Sequence, residues 1–179
     1  MRTALIVVVG LVAGFSLPCR AEASGPVGKI FPRVSGSSLG GDKVILPDQL
    51  AGSPAVLLVA YRRGAQEDVD LWREFIESSF PELPWLEVPA ISSPIWRPFA
   101  GWIDNGMRRG VPRPLWPNVV TLYRDARVVE EFLGRAPKPV THVVVLDPSG
   151  RVTFFDAAGF SESTAAGLER ALRGMLDGG

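Results

Sequence analysis

A run of six apolar residues, A-V-L-L-V-A at 55–60, constrains the fold of this chain more than any other feature. Every position in the run is apolar, which is typical of a central β-strand covered on both faces. The next residues, Q-E-D-V-D-L-W-R-E-F-I-E-S-S-F at 66–80, carry an apolar stripe at helical spacing and two acidic residues in the first turn. The pattern therefore predicts a buried strand that turns at 61–65 into an amphipathic helix. The stripe consists of Val69, Trp72, Ile76 and Phe80.

The rest of the chain alternates between strand and helix patterns. In the predicted helix at 95–110, we expect Pro98 at the first helical position and Gly110 at the C-terminal cap. The last helix has Ser161 as its N-cap and Gly178 as its stop. We expect its buried stripe to contain Leu168, Ala171, Leu172, Met175 and Leu176. The predicted elements are two strands within 31–47, a turn at 47–54, strands at 85–88 and 119–123, a helix at 95–110, a hairpin at 141–155 and a helix from Ser161 to Asp177.

This order of elements predicts an α/β fold. A strand–helix–strand unit is followed by two antiparallel strands and a helix, which implies a mixed central β-sheet with helices on both faces and an N-terminal β-hairpin. The chain has 179 residues, 46% of them apolar, which suits one globular domain with a sizeable core. The formal net charge is zero, so the molecule as a whole is not built to coat nucleic acid.

The first 23 residues have the three parts of a secretory signal peptide. Arg2 is followed by the apolar stretch 4–15, and A-E-A at 21–23 offers a cleavage site after Ala23. We therefore expect an exported protein, periplasmic or secreted, with a signal peptide at 1–23, a linker at 24–30 and one domain at 31–179. The alternative is an uncleaved signal that stays in the membrane as an anchor.

Cys19 is the only cysteine. Its context, S-L-P-C, lacks the small residue expected immediately before a lipidated cysteine, so a lipid anchor is the less favoured alternative. Cleavage after Ala23 would leave a mature chain with no disulfide, no thiol nucleophile and no thiolate metal ligand.

Two segments carry a resemblance to known proteins. G-D-K-V-I-L-P-D-Q-L-A-G-S-P-A-V-L-L at 41–58 leads into the corner at 61–65, and T-H-V-V-V-L-D-P-S-G-R-V at 141–152 forms the predicted hairpin. In spacing and order they resemble the thioredoxin-like superfamily, in particular its peroxiredoxin or alkyl hydroperoxide reductase-like branch. The resemblance covers roughly 31–177 and implies a thioredoxin-like fold.

The chain departs from that superfamily at the residues that do redox chemistry. Alignment on the strand at 55–60 puts Gln66 and Val69 where the C-x-x-C cysteines would lie, and neither side chain forms a thiolate. Thr141 stands where the superfamily has a cis-proline, with Pro139 two residues away. The resemblance thus implies a scaffold that has kept the helix that activates a thiol and has lost the thiol.

A narrower resemblance concerns the mitochondrial ATP synthase assembly factors of thioredoxin-like fold, which also lack the redox pair. The segments that carry it are L-P at 46–47, the stretch from Ala65 to Trp72 and H-V-V-V-L-D-P-S-G-R-V at 142–152. This similarity implies a non-catalytic role in which the chain binds a protein in the cell envelope, as an assembly or chaperone-type factor.

The corner between strand and helix is the first candidate binding site, with Tyr61, Arg62, Arg63 and Gln66. Two guanidinium groups beside a helix N-terminus favour a carboxylate or phosphate, so a small anion is one expected ligand. The alternative is that the arginines form ion pairs with Glu67, Asp68 or Asp70.

The second candidate site is the segment 85–117, which is rich in tryptophan and arginine. Both residue types are enriched at binding hot spots. The alternative is a helix packed on the sheet with its arginines extended to water, and the spacing of Phe99, Trp102 and Met107 favours it for those three. A membrane surface is a third option, opposed by Asp104 and by the short helix. The residues selected as binding candidates are Trp96, Arg97, Trp102, Arg108 and Arg109.

The sequence offers little for catalysis. His142 is the only histidine, and neither it nor the D-P-S-G turn at 147–150 has the spacing of a metal site, so no metal or cofactor is expected. The leading hypothesis is therefore a redox-inactive, exported binding protein. The alternative is a cysteine-independent enzyme of peroxiredoxin-like ancestry that uses Tyr61, Arg62 and His142 around an anion pocket at Arg62 and Arg63.

Overall fold

The computed structural model describes residues 25–135 and 138–177. The predicted signal peptide, Cys19 and Gly178 lie outside the described residues. In chain order the strands are β1 (Val34–Ser38), β2 (Lys43–Leu46), β3 (Ala55–Ala60), β4 (Trp85–Pro89), β5 (Val120–Thr121), β6 (His142–Leu146) and β7 (Val152–Asp156), and the helices are α1 (Gln66–Ser79), α2 (Ala100–Gly110), α3 (Ala126–Leu133) and α4 (Glu162–Leu176). Among the described residues, no helix has the length and apolarity needed to span a bilayer.

The strand β3 lies in the middle of the main sheet, as its apolar run predicts. The strand order is β4-β3-β6-β7, with β4 parallel to β3 and with β6 and β7 antiparallel to their neighbours. A smaller sheet of order β2-β1-β5 continues it, because parallel bridges join Glu87 to Val119 and Ala90 to Leu122. The predicted mixed sheet with an N-terminal hairpin is confirmed.

Both faces of the main sheet are covered. On one face, Val56 and Leu58 of β3 pack with the apolar stripes of α1 and α4. On the other, Leu57 and Val59 pack with α3 and with the hairpin of β1 and β2. Alternate side chains of β3 therefore belong to two different hydrophobic cores, one on each face of the sheet. The prediction of helices on both faces is confirmed.

Several elements differ from the sequence-based expectation. The helix α3 was not predicted, although Ala126, Val129 and Leu133 form its buried stripe. It has only 8 residues, so its helical periodicity is too short to be distinguished from a strand or loop pattern. The strand β5 is shorter than the predicted 119–123. In α4, Leu176 is exposed rather than buried, whereas the partly buried Met175 packs against the sheet core.

The region of α2 differs most. Residues 94–99 form a 3₁₀ turn that contains Pro98, and the α-helix begins only at Ala100. Gly110 is the last helical residue and Val111 is the cap, so the expected roles of Pro98 and Gly110 are wrong by one or two positions. No residue of α2 is buried. The expected packing of Phe99 and Trp102 on the sheet is therefore wrong.

Asp68 fixes the start of α1 to the rest of the fold. Its Oδ2 accepts a hydrogen bond from the backbone N–H of Thr141 at 2.8 Å, and its Oδ1 accepts one from the backbone N–H of Phe160 at 2.6 Å. One carboxylate in the first turn thereby connects α1 to the residue before β6 and to the loop before α4. A carboxylate that accepts backbone N–H groups makes charge-assisted bonds, which are stronger than neutral ones.

We expect Asp68→Ala to lower the free energy of unfolding by about 2–3 kcal/mol, because two hydrogen bonds to a charged group are lost together. Urea denaturation followed by circular dichroism measures the change. Glu67→Ala is the matched control, since Glu67 is exposed in the same helical turn. It loses the same interaction with the helix dipole but no such bonds. Equal losses in the two variants would contradict this role for Asp68.

Candidate functional site

The corner after β3 turns the chain directly from the sheet into α1. Arg62 is extended, residues 63–65 form one 3₁₀ turn, and Gln66 begins α1. The position that the resemblance assigns to a cysteine is therefore the first residue of a 14-residue helix. The exposed side chain of Gln66 donates a hydrogen bond from Nε2 to Oδ1 of Asp70 at 3.4 Å. The second cysteine position, Val69, is fully buried in the core under α1.

The corner lies against the loop that leads into β6. A Cβ placed on Gly64 would come within 3.3 Å of Pro139, and Asp68 binds the backbone of Thr141. Gln66 and Thr141, which the resemblance places at the two halves of a thioredoxin active site, thus lie in neighbouring segments, but Gln66 is exposed whereas Thr141 is fully buried. Within 25–135 and 138–177 the only cis peptide bond is Leu46–Pro47, so the peptide before Thr141 is trans.

The two arginines of the corner are exposed. The side chains of Arg62 and Arg63 form no hydrogen bond and no ion pair with another described residue. The alternative expectation, ion pairs with Glu67, Asp68 or Asp70, is not met among the described residues. Two of these carboxylates have other partners. Asp68 is held by backbone N–H groups, and Asp70 forms an ion pair with Arg73 at 3.1 Å. Two cations therefore stand at the corner without a described counter-ion.

Glu87 is a buried carboxyl group on β4, beside α1. Its side chain is only 7% exposed, and it faces Gln66, Asp70 and Arg73 of the helix. Burial raises the pKa of Glu87 to about 7, with a further contribution from the charge of Asp70, while Arg73 and a hydrogen bond from Gln66 oppose the rise. Glu87 can therefore exchange a proton near neutral pH. Glu87 is not among the binding residues predicted from the sequence. The single charged residue inside the strand pattern W-L-E-V could have indicated it as a candidate.

Tyr61 and His142 pack together on the opposite face of the sheet. Their ring centroids are 5.1 Å apart, and His142 also contacts the ring of Phe155 at 5.5 Å. Both ring nitrogens of His142 and the hydroxyl of Tyr61 are buried without a hydrogen-bond partner in the described structure. Burial lowers the pKa of His142 and so favours the neutral imidazole. The charge of Asp156 opposes this shift. Burial, and then the charge of Glu130, raises the pKa of Tyr61.

This packing separates the residues that the enzyme alternative would need. Tyr61 and His142 face the core under α3, whereas the side chains of Arg62 and Arg63 are exposed. Tyr61 is half-buried and contributes only part of its ring to the surface. His142 is a core residue, and within the described residues no cluster of three or more potential metal ligands exists.

The tryptophan-rich segment divides into a buried part and an exposed part. Trp85 belongs to the core, and Trp116 is half-buried, with its Nε1 donating to the carbonyl oxygen of Val111 at 3.0 Å. The guanidinium groups of Arg108 and Arg113 each lie 5.7 Å from the ring centroid of Trp116. The exposed part, which we call the Trp–Arg surface, comprises Ile95, Trp96, Arg97, Phe99, Trp102 and Arg109.

One face of α2 is attached to the domain, and this attachment turns the Trp–Arg surface outward. The hydroxyl of Tyr123 donates to Oδ1 of Asp104 at 2.7 Å. Arg108 donates from Nε to the carbonyl oxygen of Leu39 at 2.8 Å, so it is a structural residue rather than a free binding cation. Trp102 lies outside the attached face and is 69% exposed.

The corner and the Trp–Arg surface follow neighbouring parallel strands. The corner comes directly after β3, and the segment that contains the Trp–Arg surface comes after β4. Because parallel strands have their carboxyl ends at one edge of the sheet, both regions start from the same edge. In open α/β sheets this edge is where ligands bind. Its position suits a binding site that draws on both regions.

No protein-family model matches the sequence. No curated protein matches it either.

Solved structures do match the fold. An uncharacterised conserved protein from Geobacillus kaustophilus aligns with a TM-score of 0.61 and 16% identity, over 87% of this chain and 85% of that one. The thioredoxin domain of a thiol-disulfide oxidoreductase from Bacteroides vulgatus aligns with a TM-score of 0.55 and 16% identity, over 82% and 98%. A thiol peroxidase from Chromobacterium violaceum aligns with a TM-score of 0.56 and 13% identity, over 87% and 91%. The chain therefore has a thioredoxin-like fold.

The raised pKa of Glu87 predicts a pH-dependent stability. Between about pH 4.5 and pH 7 the folded state binds more protons than the unfolded state, so stability falls as pH rises through this window. We expect the loss from pH 5 to pH 8 to include about 2–3 kcal/mol from Glu87. In Glu87→Gln, which keeps the shape and cannot ionise, that part of the loss should disappear.

Urea denaturation at pH 5 and pH 8 measures this effect. Glu74→Gln, at an exposed position of α1, is the control and should keep the parental pH dependence. If Glu87→Gln and the parent lose the same stability between the two pH values, Glu87 does not titrate in this window.

Proposed function

We propose that this chain is an exported, redox-inactive protein of thioredoxin-like fold that binds a protein partner in the cell envelope, as an assembly or chaperone-type factor. The binding region is the sheet edge where the corner and the Trp–Arg surface begin. The observation that carries the proposal is the identity of residue 66. A glutamine occupies the first position of α1, where a reactive thiol would be activated by the helix N-terminus.

The cysteine content supports the loss of redox chemistry. Thiol–disulfide exchange needs a thiolate that attacks a disulfide, and a dithiol cycle needs a second cysteine to resolve the mixed disulfide. The whole sequence holds one cysteine, Cys19, within the segment that resembles a signal peptide. The names of the similar structures, a thiol-disulfide oxidoreductase and a thiol peroxidase, describe activities that require a cysteine at the corner. This chain has the fold of those proteins without that group.

The exposed residues of the edge support a binding role. Arg62 and Arg63 have no described counter-ion, so both can pair with carboxylates of a partner. Tryptophan and arginine dominate binding hot spots because each combines a large contact area with polar groups. Export rests on Arg2, the apolar stretch 4–15 and the A-E-A site at 21–23.

A second candidate function is cysteine-independent catalysis at an anion pocket. Two observations favour it: the exposed pair Arg62 and Arg63, and a buried Glu87 whose pKa of about 7 suits proton transfer. The packing of Tyr61 and His142 in the core weighs against the original set of catalytic residues. Binding therefore remains the preferred function.

Affinity capture tests the binding function. The tagged protein is captured from the envelope fraction of its own cells, and Arg62→Ala combined with Arg63→Ala is expected to reduce recovery of the specific partner by about tenfold, since two partly desolvated charge pairs are lost. The matched control is Arg127→Ala combined with Arg170→Ala, which removes the same charge from exposed positions on α3 and α4. Unchanged recovery with the corner variant would mean that the arginines are not part of the binding site.

An activity assay separates the two candidates. The purified protein should show no turnover with hydrogen peroxide or with a disulfide substrate in the presence of a thiol reductant. Turnover that survives Cys19→Ser but is lost with Glu87→Gln would overturn the binding proposal in favour of cysteine-independent catalysis.

A further inference from the structure

We infer that the Trp–Arg surface docks on an anionic lipid membrane. The inference goes beyond the proposed partner binding, which it does not require. It assigns to Ile95, Trp96, Phe99 and Trp102 the role of entering the headgroup region of a bilayer. It assigns to Arg97 and Arg109, the exposed arginines of this surface, the role of binding the negative headgroups.

The apolar part of this surface is unusually concentrated. Nine large hydrophobic residues are exposed in the described part of the chain, and four of them lie within 95–102. Ile95 and Trp102 are the most exposed, at 70% and 69%. The rings of Trp96 and Phe99 pack edge to face, with their centroids 6.2 Å apart. Scattered exposed apolar residues are ordinary on a protein surface, whereas a cluster of this kind marks an interaction site.

The charge around this cluster has one sign. The segment 94–117 contains Arg97, Arg108, Arg109 and Arg113 against a single acidic residue, Asp104, within a chain whose formal net charge is zero. Asp104 accepts a hydrogen bond from Tyr123 on the attached face of α2, so its carboxylate is directed away from the exposed cluster. Arg97 and Arg109 are exposed and form no ion pair with the described residues. This surface is therefore complementary to anionic headgroups.

The character of the surface suits the headgroup layer of a membrane. Gly101 and Gly106 of α2 have open space where a Cβ would stand, so these two positions of the helix are uncovered. Ile95 and Trp102 are 70% and 69% exposed, whereas protein hot spots lie in packed pockets that exclude water. A deformable headgroup layer fits a projecting set of aromatic rings, and tryptophan concentrates in that layer because its ring is apolar and its indole N–H is polar.

The structure also removes the two sequence-based objections to membrane contact. Asp104 does not face the exposed cluster, as its bond to Tyr123 shows. The helical segment is longer than α2 alone, because the 3₁₀ turn at 94–99 leads directly into α2. Together they expose apolar side chains over 95–102. Helices that lie in the membrane interface combine such an aromatic face with flanking arginine.

Tryptophan quenching by lipid is the direct test. The full chain is mixed with vesicles of brominated phosphatidylcholine and phosphatidylglycerol in equal parts, or of brominated phosphatidylcholine alone. The chain has five tryptophans and none lies in 1–24, so an N-terminal segment inserted in the bilayer does not produce the signal itself. Trp72 and Trp85 are buried in the core, which leaves Trp96 and Trp102 as the main exposed reporters.

We expect strong quenching with the anionic vesicles and a several-fold weaker effect with the neutral ones. Arg97→Glu combined with Arg109→Glu should lower the partition coefficient by about tenfold or more, and 0.5 M salt should weaken the binding of the parent protein. Ile95→Ser combined with Phe99→Ser, which keeps both reporters, should have a similar effect. Trp96→Phe combined with Trp102→Phe should remove most of the quenching and confirm its source.

Two control variants match these changes. Arg127→Glu combined with Arg170→Glu alters the same charge on other exposed helices, and Leu71→Ser combined with Val128→Ser alters exposed apolar residues elsewhere. Both controls should be quenched like the parent, and circular dichroism should give one melting temperature for all variants within a few degrees.

Absence of quenching by anionic vesicles would overturn the inference, as would equal losses in the control variants. Capture of an envelope protein that depends on Ile95 and Phe99, with no vesicle binding, would assign the Trp–Arg surface to a protein partner instead. The vesicle assay needs no protein partner, so its result is independent of partner capture. Vesicle binding can be absent while capture through Arg62 and Arg63 succeeds, and vesicle binding can be present while that capture fails.

Discussion

The burial of β3 is the constraint on which the rest of the structure depends. Its residues 55–59 are inaccessible to solvent, and they supply alternating side chains to two separate cores. A strand in this position requires a hydrogen-bonded neighbour on each edge and a helix layer on each face. The neighbours are β4 and β6, and the layers are α1 with α4 on one face and α3 with the hairpin on the other. The corner at 61–65 is located by this arrangement, because the chain leaves β3 at the sheet edge and enters α1 directly.

The corner places polar side chains at the N-terminus of α1. Gln66 donates a hydrogen bond to Asp70, and Asp68 joins the first helical turn to Thr141 and Phe160. The bonds of Asp68 connect the corner to the segments before β6 and α4, and no cysteine stands at 61–70. The two cations beside it are exposed and unpaired among the described residues, and the titratable Glu87 lies below it. The exposed arginines are the features on which the proposed binding role rests.

The sheet edge thereby acquires two surfaces with separate physical characters. The corner is polar and cationic, whereas the Trp–Arg surface combines a large apolar area with positive charge. Both surfaces belong to segments that begin at the carboxyl ends of β3 and β4. The proposed partner binding through Arg62 and Arg63 and the inferred membrane docking through Phe99 and Trp102 use separate residues.

The sequence by itself determined the central strand at 55–60, the helix from Gln66, a hairpin predicted at 141–155 and found at 142–156, the Ser161 N-cap and the lack of a cysteine pair, because periodicity, turn chemistry and capping act over a few residues. Only the tertiary structure decided that Trp102 is exposed, that Glu87 is buried against α1, that Asp68 binds two backbone groups and that Tyr61 contacts His142. Helical spacing shows which side chains share a face but not whether another element covers that face. For α2 the covered face is the one attached through Tyr123 and Leu39, both remote in sequence, so the orientation of its tryptophan could not be read from local pattern.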